Sequence, residues 1–418
     1  MILDFTFLMM KPKAMKILIA SDSFKGCMSS AEVAKNITTG ILRVFSDAKI
    51  EVLTIADGGE GTALVLTEVL GGQLHRKRVF GPMANPVDAV FGILPGGEAI
   101  MDMASASGIT LVPEGKTNIM SATTFGTGQM ILAALDHGCR RIYLGIGGSA
   151  TNDGGLGMAS ALGVRFLDEH GKSLCGEISC DIEPMDDSQL PRDFFLGGKD
   201  LLKVAKIDIS NIDHRIVSTN FFILSDVTNP LCGSTGAAHT YGAQKGATPE
   251  DIELLDRGLS HFAEVVKRDI GLDLAEMDGI GAAGGLGLSL IAFMGAKMLR
   301  GIDYILDAIG FDEKACQSDL IITGEGRIDP QSAYGKVISG IAIRGAKLGV
   351  PVIAIGGAID GDIQELYNAG VCSVEAAVSH PMTLDEAMKN GADNLVLATE
   401  RIMQAIELGM RLATGMDK

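Results

Sequence analysis

Arg141-Ile-Tyr-Leu-Gly-Ile-Gly-Gly-Ser-Ala-Thr-Asn-Asp-Gly-Gly-Leu-Gly157 is a short apolar run that breaks into small, hydroxylated and acidic residues. Ile142 to Ile146 reads as a buried strand, and Gly147-Gly148 lets the backbone leave it at angles a side chain forbids. Ser149, Thr151, Asn152 and Asp153 then stand where a helix begins, as caps that leave backbone N–H groups free to meet an anion. The stretch reads as a phosphate- or carboxylate-binding turn, and equally as the plain strand-to-helix turn of any α/β protein. Its surroundings must decide.

Outward from it, the same construction recurs. Thr123 through Gly128 to Leu135 is a capped helix leading into the strand, preceded by the small, closely packed Ala99–Gly108, and Gly155–Leu162 continues the helix that follows. Lys16-Ile-Leu-Ile-Ala20 is a continuous apolar run suited to a strand covered on both faces; it ends in Ser21–Gly26, and Ser29-Ser30-Ala-Glu32 starts a helix through Val33, Ile37 and Ile41. Ile50–Ile55, the loop Ala56–Gly61 and a helix over Thr62–Leu70 repeat the unit. Phe221–Leu224 is a strand ending in Ser225–Pro230, Thr248-Pro249-Glu250 starts a helix reaching Val266, and Gly279–Gly287 opens another. Asp319–Thr323 is a strand followed by the loop Gly324–Asp329 and a helix near Val337, and Val350–Ile355 is a strand ending in Gly356-Gly357. Strands followed by helices predict a parallel sheet, with ligands at the carboxyl ends of its strands.

Between Gly72 and Ala99 the pattern changes to short alternating segments with turns at Gly81-Pro82, Asn85-Pro86 and Pro95–Gly97, which read as hairpins. The expected organisation is therefore a discontinuous, doubly wound, mostly parallel α/β domain over residues 15–80 and 295–418, carrying an inserted α+β domain over 81–294, with a cleft between them. Residues 1–14 read as an N-terminal extension, and 176–200, with Asp181–Asp187 and Pro191, as an irregular surface loop.

Composition narrows the function. The 418 residues are 47% hydrophobic and include 54 glycines, many paired at the ends of apolar runs. Aromatics make up 5%, without tryptophan, and the formal charge is −17, so a nucleic-acid or anionic-membrane partner is not expected. An anionic ligand must then be held by a few local cations, helix N-termini or a divalent ion. Seven scattered cysteines without Cys-x-x-Cys suit a reduced cytoplasmic protein. No apolar stretch approaches the ~18 residues that span a bilayer. Met1–Met10 lacks the basic start and cleavage site of a signal peptide.

Five loops place polar residues among glycines just beyond an apolar strand: Asp22–Lys25, Asp57–Glu60, Gly147–Asp153, Asp226–Asn229 and Glu325–Asp329. Phosphoryl transfer asks for such parts: a cradle of N–H groups, carboxylates on a divalent ion, cations on the phosphates and a base for the attacking hydroxyl. Gly147-Gly148-Ser149 supplies a cradle; Asp57, Glu60 or Asp226 a place for the ion; Lys25, Lys245, Arg327 or Lys336 the cations. An ordinary P-loop is excluded, since no Gly-x-x-x-x-Gly-Lys-Ser/Thr exists, and Gly154-x-x-Gly157 and Gly284–Gly287 lack the dinucleotide spacing. The seven histidines are dispersed, with His239 the best placed, Met101, Met103, Met120 and Met130 read as core fillers, and Ser149 lacks a nucleophile elbow.

Together the loops resemble the bacterial type I glycerate kinase family. The resemblance is carried by Asp22-Ser-Phe-Lys-Gly26, Ala56-Asp-Gly-Gly-Glu-Gly-Thr62, Gly147–Asp153, Asp226-Val-Thr-Asn-Pro-Leu231, Gln244-Lys-Gly246, Gly281–Gly287, Thr323–Asp329 with Gln331-Ser332, and Gly335-Lys336. It runs from about Met15 to near the C-terminus; residues 1–14 and 177–198 look longer than the family pattern. It implies ATP- and Mg2+-dependent phosphorylation of D-glycerate, usually at the 2-hydroxyl, with the 3-hydroxyl as the alternative, in a monomeric or homodimeric two-domain α/β protein. A binding or regulatory protein for small hydroxyacids is the competing class. The residues expected to act are Lys25, Asp226, Arg327 and Asp329 in catalysis. Ser23, Gly147, Gly148, Ser149, Thr151, Asn152, Lys245, Glu325 and Lys336 are expected on substrate or phosphate, and Asp57, Glu60 and Asp153 on the metal. Arg327 suits a carboxylate by two parallel hydrogen bonds, Lys25 a carboxylate or the γ-phosphate, and Asp226 or Asp329 the 2-hydroxyl.

Overall fold

The computed structural model describes residues 14–24, 26–55, 61–113, 115–176, 194–333 and 337–414. Its strands in chain order are β1 (Lys16–Ser21), β2 (Lys49–Thr54), β3 (Gln73–Phe80), β4 (Pro86–Ile93), β5 (Ala99–Asp102), β6 (Arg141–Gly145), β7 (Arg165–Leu167), β8 (Lys206–Asp208), β9 (Asn220–Leu224), β10 (Lys297–Leu299), β11 (Leu320–Ile328), β12 (Val352–Ile359) and β13 (Val371–Ala376). The fold is α/β with mostly parallel sheets, as expected. It divides into two compact units: residues up to Ile55 with those from Gly310 onward, and the chain between.

The discontinuous unit holds a five-stranded sheet in the order β13-β12-β11-β1-β2, parallel throughout. Its central strands β1, β11 and β12 are apolar on both faces because helices cover both. Ile17, Ile19, Ile322, Ile353 and Ile355 meet Val33, Ile37 and Ile41 of the helix Ser30–Val44 and Leu395 and Met403 of the helix Gly391–Thr414. On the other face Ile328 and Ala354 pack with Ile338 and Ala342 of the helix Val337–Leu348. Ser29 starts the first helix as read, its hydroxyl accepting the Glu32 N–H while the Glu32 carboxylate accepts the Ser29 N–H. The expected loop Gly324–Asp329 is corrected: β11 runs on through Ile328 and β12 through Ile359, because Arg327 and Ile328 stay in register with Ala358 and Ile359.

The second unit holds a six-stranded sheet in the order β10-β9-β6-β5-β4-β3 and a separate β7-β8 ribbon. β10, β9, β6 and β5 are parallel, and the hairpins expected between Gly72 and Ala99 are present as antiparallel β3-β4 and β4-β5. These hairpins also move the boundaries. β3 pairs along its whole length with β4, so the junction expected near 80 falls after Ile55, and β10 pairs with β9, so the one expected near 295 falls after Ile309. Met101, Met103 and Met130 fill the core, as read. Thr248 and Asp251 form a capping box on the helix Pro249–Ile270, which passes the expected end at Val266 and stops at the left-handed Gly271. No helix among the described residues is long and apolar enough to cross a membrane. The extension (1–13) and most of the irregular stretch (177–193) lie outside the described residues.

Candidate functional site

In the second unit the polar residues gather beyond the carboxyl ends of β5, β6 and β9, where parallel sheets bind ligands. After β6 the chain turns at Gly148, whose φ of +72° is left-handed and suits glycine. Ile109 N–H donates to the Gly148 carbonyl and Ala150 N–H to Ser107, pinning the turn on both sides. Among the described residues nothing accepts the N–H groups of Gly147, Gly148 or Ser149, and Gly148 is exposed. Successive free amides around a left-handed residue form a nest, a concavity suited to an anion.

Lys245 lies beneath this turn, 3% exposed. Its Nζ donates to Ser149 Oγ at 2.7 Å and to the Thr151 carbonyl at 2.7 Å. Burial holds its pKa down to about 7, with Asp153 opposing the shift. Asp153 is itself fully buried and accepts from the Thr124 N–H (2.9 Å) and hydroxyl (2.8 Å), the Gly155 N–H (3.0 Å) and the Gly157 N–H (3.2 Å). Burial raises its pKa against the pull of those bonds. Three of these donors meet Oδ2 and the Gly155 N–H meets Oδ1, so Asp153 ties two helix starts together.

Thr151 and Asn152, between these residues, are 0% exposed. Thr151 Oγ1 and both polar atoms of the Asn152 amide have no partner among the described residues. Against them packs a backbone that is left-handed at Ala283, Gly284 and Gly285. Gly284 N-terminal to the helix body is obligatory there, since a Cβ would overlap the Thr151 carbonyl oxygen and the Asn152 Cα. The Gly154 N–H donates to the Gly284 carbonyl at 3.0 Å and the Ser289 hydroxyl to the Gly154 carbonyl at 2.6 Å. Orphaned buried polar groups and left-handed backbone coincide where ligand chemistry is expected.

Asp226 follows β9, one strand over from the Gly147 turn. Its Oδ1 accepts the Ile302 N–H at 3.3 Å, at the start of the helix Gly301–Ala308. Its pKa is pushed up to about 6, chiefly by burial, with the Ile302 N–H and Arg300 pulling the other way. Asp102, at the end of β5, was not anticipated. It is 6% exposed and accepts from the Gly61 N–H (2.9 Å) and Ala63 N–H (3.1 Å), at the start of the helix Thr62–Val69. The signal was present: like the five loops, it is an acid directly after an apolar run. His239, half-buried, lies 3.9 Å from Glu253.

In the discontinuous unit β1 is flanked by β2 on one side and β11 on the other, so the strand order reverses between β1 and β11. There Ser21 Oγ donates to the Gly324 carbonyl at 3.0 Å and the Asp22 N–H to the same oxygen at 3.1 Å. Ser23 follows, its N–H on the Asp22 carboxylate at 2.6 Å. The Ser332 hydroxyl donates to Glu325 and accepts the Asp329 N–H at 3.1 Å, while Asp329 Oδ1 takes the Gln331 N–H at 2.8 Å. Arg327 is exposed and paired with Asp360, also exposed. Ser23 and Glu325 thus stand at the switch point, Arg327 farther along the extended β11, and Asp329 holds its own turn. Lys25, Asp57, Glu60 and Lys336 lie outside the described residues. Among the described residues no three His, Cys, Asp or Glu side chains group as a metal cluster.

The chain is similar to known proteins over most of its length. The glycerate kinase family matches residues 17–407. A glycerate kinase of Halalkalibacterium halodurans is 42% identical over 92% of this chain and 97% of its own length. A glycerate 2-kinase of Escherichia coli is 40% identical over 96% of this chain and 100% of its own. A crystal structure from Salmonella typhimurium LT2, described as a candidate glycerate kinase 2, shares 38% identity with a TM-score of 0.77, covering 95% of this chain and 100% of that one.

Proposed function

Because this chain belongs to the glycerate kinase family, we propose that it transfers the γ-phosphoryl group of ATP to the 2-hydroxyl of D-glycerate, giving 2-phospho-D-glycerate and ADP. The observation that carries the reading is the nest: the free N–H groups of Gly147, Gly148 and Ser149 around left-handed Gly148, with the Lys245 ammonium beneath. Those N–H groups hold equatorial phosphoryl oxygens, whose charge is spread in a loose transition state.

Asp226 is the base in this scheme. Raised to about 6 by burial, it is ionised at neutral pH yet basic enough to take the 2-hydroxyl proton as the new O–P bond forms and the bond to the ADP oxygen breaks. Arg327 offers a planar, exposed guanidinium that exchanges Asp360 for the glycerate carboxylate. Mg2+ supplies charge neutralisation on the β- and γ-phosphates when bound. The carboxylates expected to hold it, Asp57 and Glu60, lie outside the described residues, and Asp226 is left to take the proton. The protein works in the cytoplasm in this reading. Phosphorus NMR of the protein with ATP, Mg2+ and D-glycerate tests it: 2-phosphoglycerate is expected, whereas 3-phosphoglycerate overturns the position and no turnover overturns the activity.

A further inference from the structure

We infer that Lys245 is a positioning residue for the nest, orienting the Ser149 hydroxyl so that it joins the neighbouring amides as a further donor to the bound phosphoryl group. The inference rests on the reading of the nest as the phosphoryl site. Lys245 Nζ donates to Ser149 Oγ at 2.7 Å and to the Thr151 carbonyl at 2.7 Å, so the Ser149 oxygen accepts and its own O–H turns elsewhere. No described residue accepts that O–H, and Ser149 adjoins Gly148, where the turn opens to solvent.

The lysine is held in place to do this. It ends the tight turn Ala243–Lys245, with its N–H on the Gly242 carbonyl and the Gly246 N–H on Ala243. Its second bond, to the Thr151 carbonyl, spans the turn from Ser149 to Thr151, so one buried cation fixes both the hydroxyl and the peptide beyond it. At 3% exposure it does not itself reach the ligand. Its effect passes through Ser149.

A double-mutant cycle tests the coupling. kcat and KM for ATP are measured for Ser149→Ala, Lys245→Met and the double variant, with circular-dichroism melts alongside. Each single change is expected to lower kcat about 10- to 100-fold, as loss of one preorganised donor does. The double variant is expected within about threefold of the worse single one, because one donor is lost in all three. Multiplying losses, or an unchanged kcat in Lys245→Met, overturn the inference. If Lys245→Met does not fold, Lys245→Gln takes its place in the cycle under the same criteria. A wild type that phosphorylates glycerate while the losses multiply sinks this inference alone; a wild type without turnover sinks the reading on which it rests.

Discussion

The carboxylate of Asp153 grips Thr124 twice, taking its backbone N–H at 2.9 Å and its hydroxyl at 2.8 Å in a fully buried setting. The Thr124 hydroxyl in turn accepts the Met158 N–H at 2.9 Å, so one acid organises the start of two helices. Asp153→Asn puts an NH2 group against donors and removes the charge facing Lys245. It is expected to cost about 2–4 kcal/mol of stability in urea unfolding. A metal ligand behaves differently: its loss shifts the Mg2+ midpoint. An unchanged urea midpoint with a shifted Mg2+ requirement would assign Asp153 to the metal instead.

The cap and the ligand are indistinguishable in sequence because both want an acid after a strand. What separates them is Thr124, remote in sequence and brought close only by the packing of its helix. The strands were legible for the opposite reason: runs such as Ile17–Ala20 are apolar at every position, which only a sheet covered on both faces requires. β11 was read short because Glu325, Gly326 and Arg327 are polar or small, while its pairing with β12 continues regardless. The boundary near 80 was misplaced because β3 announces a strand without announcing its partner.

Asn152 is buried with its amide unpartnered among the described residues, an arrangement that costs about 1–3 kcal/mol for each unmet group. Asn152→Leu, similar in size and apolar, is therefore expected to raise the urea midpoint while lowering kcat at least tenfold. Such opposite movements mark a residue kept for function against stability. A variant both less stable and equally active would show that the amide serves packing alone.

Lys245 gives stability a signature in pH. Its folded pKa of about 7 lies below lysine's ordinary value of 10.5, so between the two the unfolded chain binds more protons than the native one. Native stability from this group is fully present above the unfolded pKa and is lost as pH falls toward 7. Wild type should thus gain on Lys245→Met as pH rises from about 7 to about 10, with a flat difference below. Paired urea titrations across that range check it; a constant difference throughout would mean an unshifted lysine.

Arg327 and Asp360 are both well exposed, so their ion pair adds little to stability, about 0–1 kcal/mol. Asp360→Ala should leave the unfolding midpoint nearly unchanged and leave or lower the KM for glycerate by freeing the guanidinium. Arg327→Ala should raise that KM about tenfold or more with a smaller change in kcat. Equal KM values in the two variants would remove Arg327 from the substrate.

Asp226 has its carboxyl pulled in two directions, and the balance sets a pH dependence. Burial raises its pKa to about 6 while the Ile302 N–H and Arg300 favour the anion. As a base it must be ionised, so kcat/KM should fall as pH drops through about 6 and level off above. Because its folded pKa lies above the unfolded value, the same group favours the native state at low pH and loses that contribution as pH rises through about 6. Asp226→Asn keeps an oxygen for the Ile302 N–H but cannot ionise. It should fold at least as stably as wild type at neutral pH, lose about 100-fold in kcat, and show no acid limb near 6. The two effects share one origin, since the burial that makes the carboxylate basic is what destabilises its charged form. Were the limb to survive in Asp226→Asn, the proton would be going to another group, and Asp226 would be only the cap of the helix Gly301–Ala308.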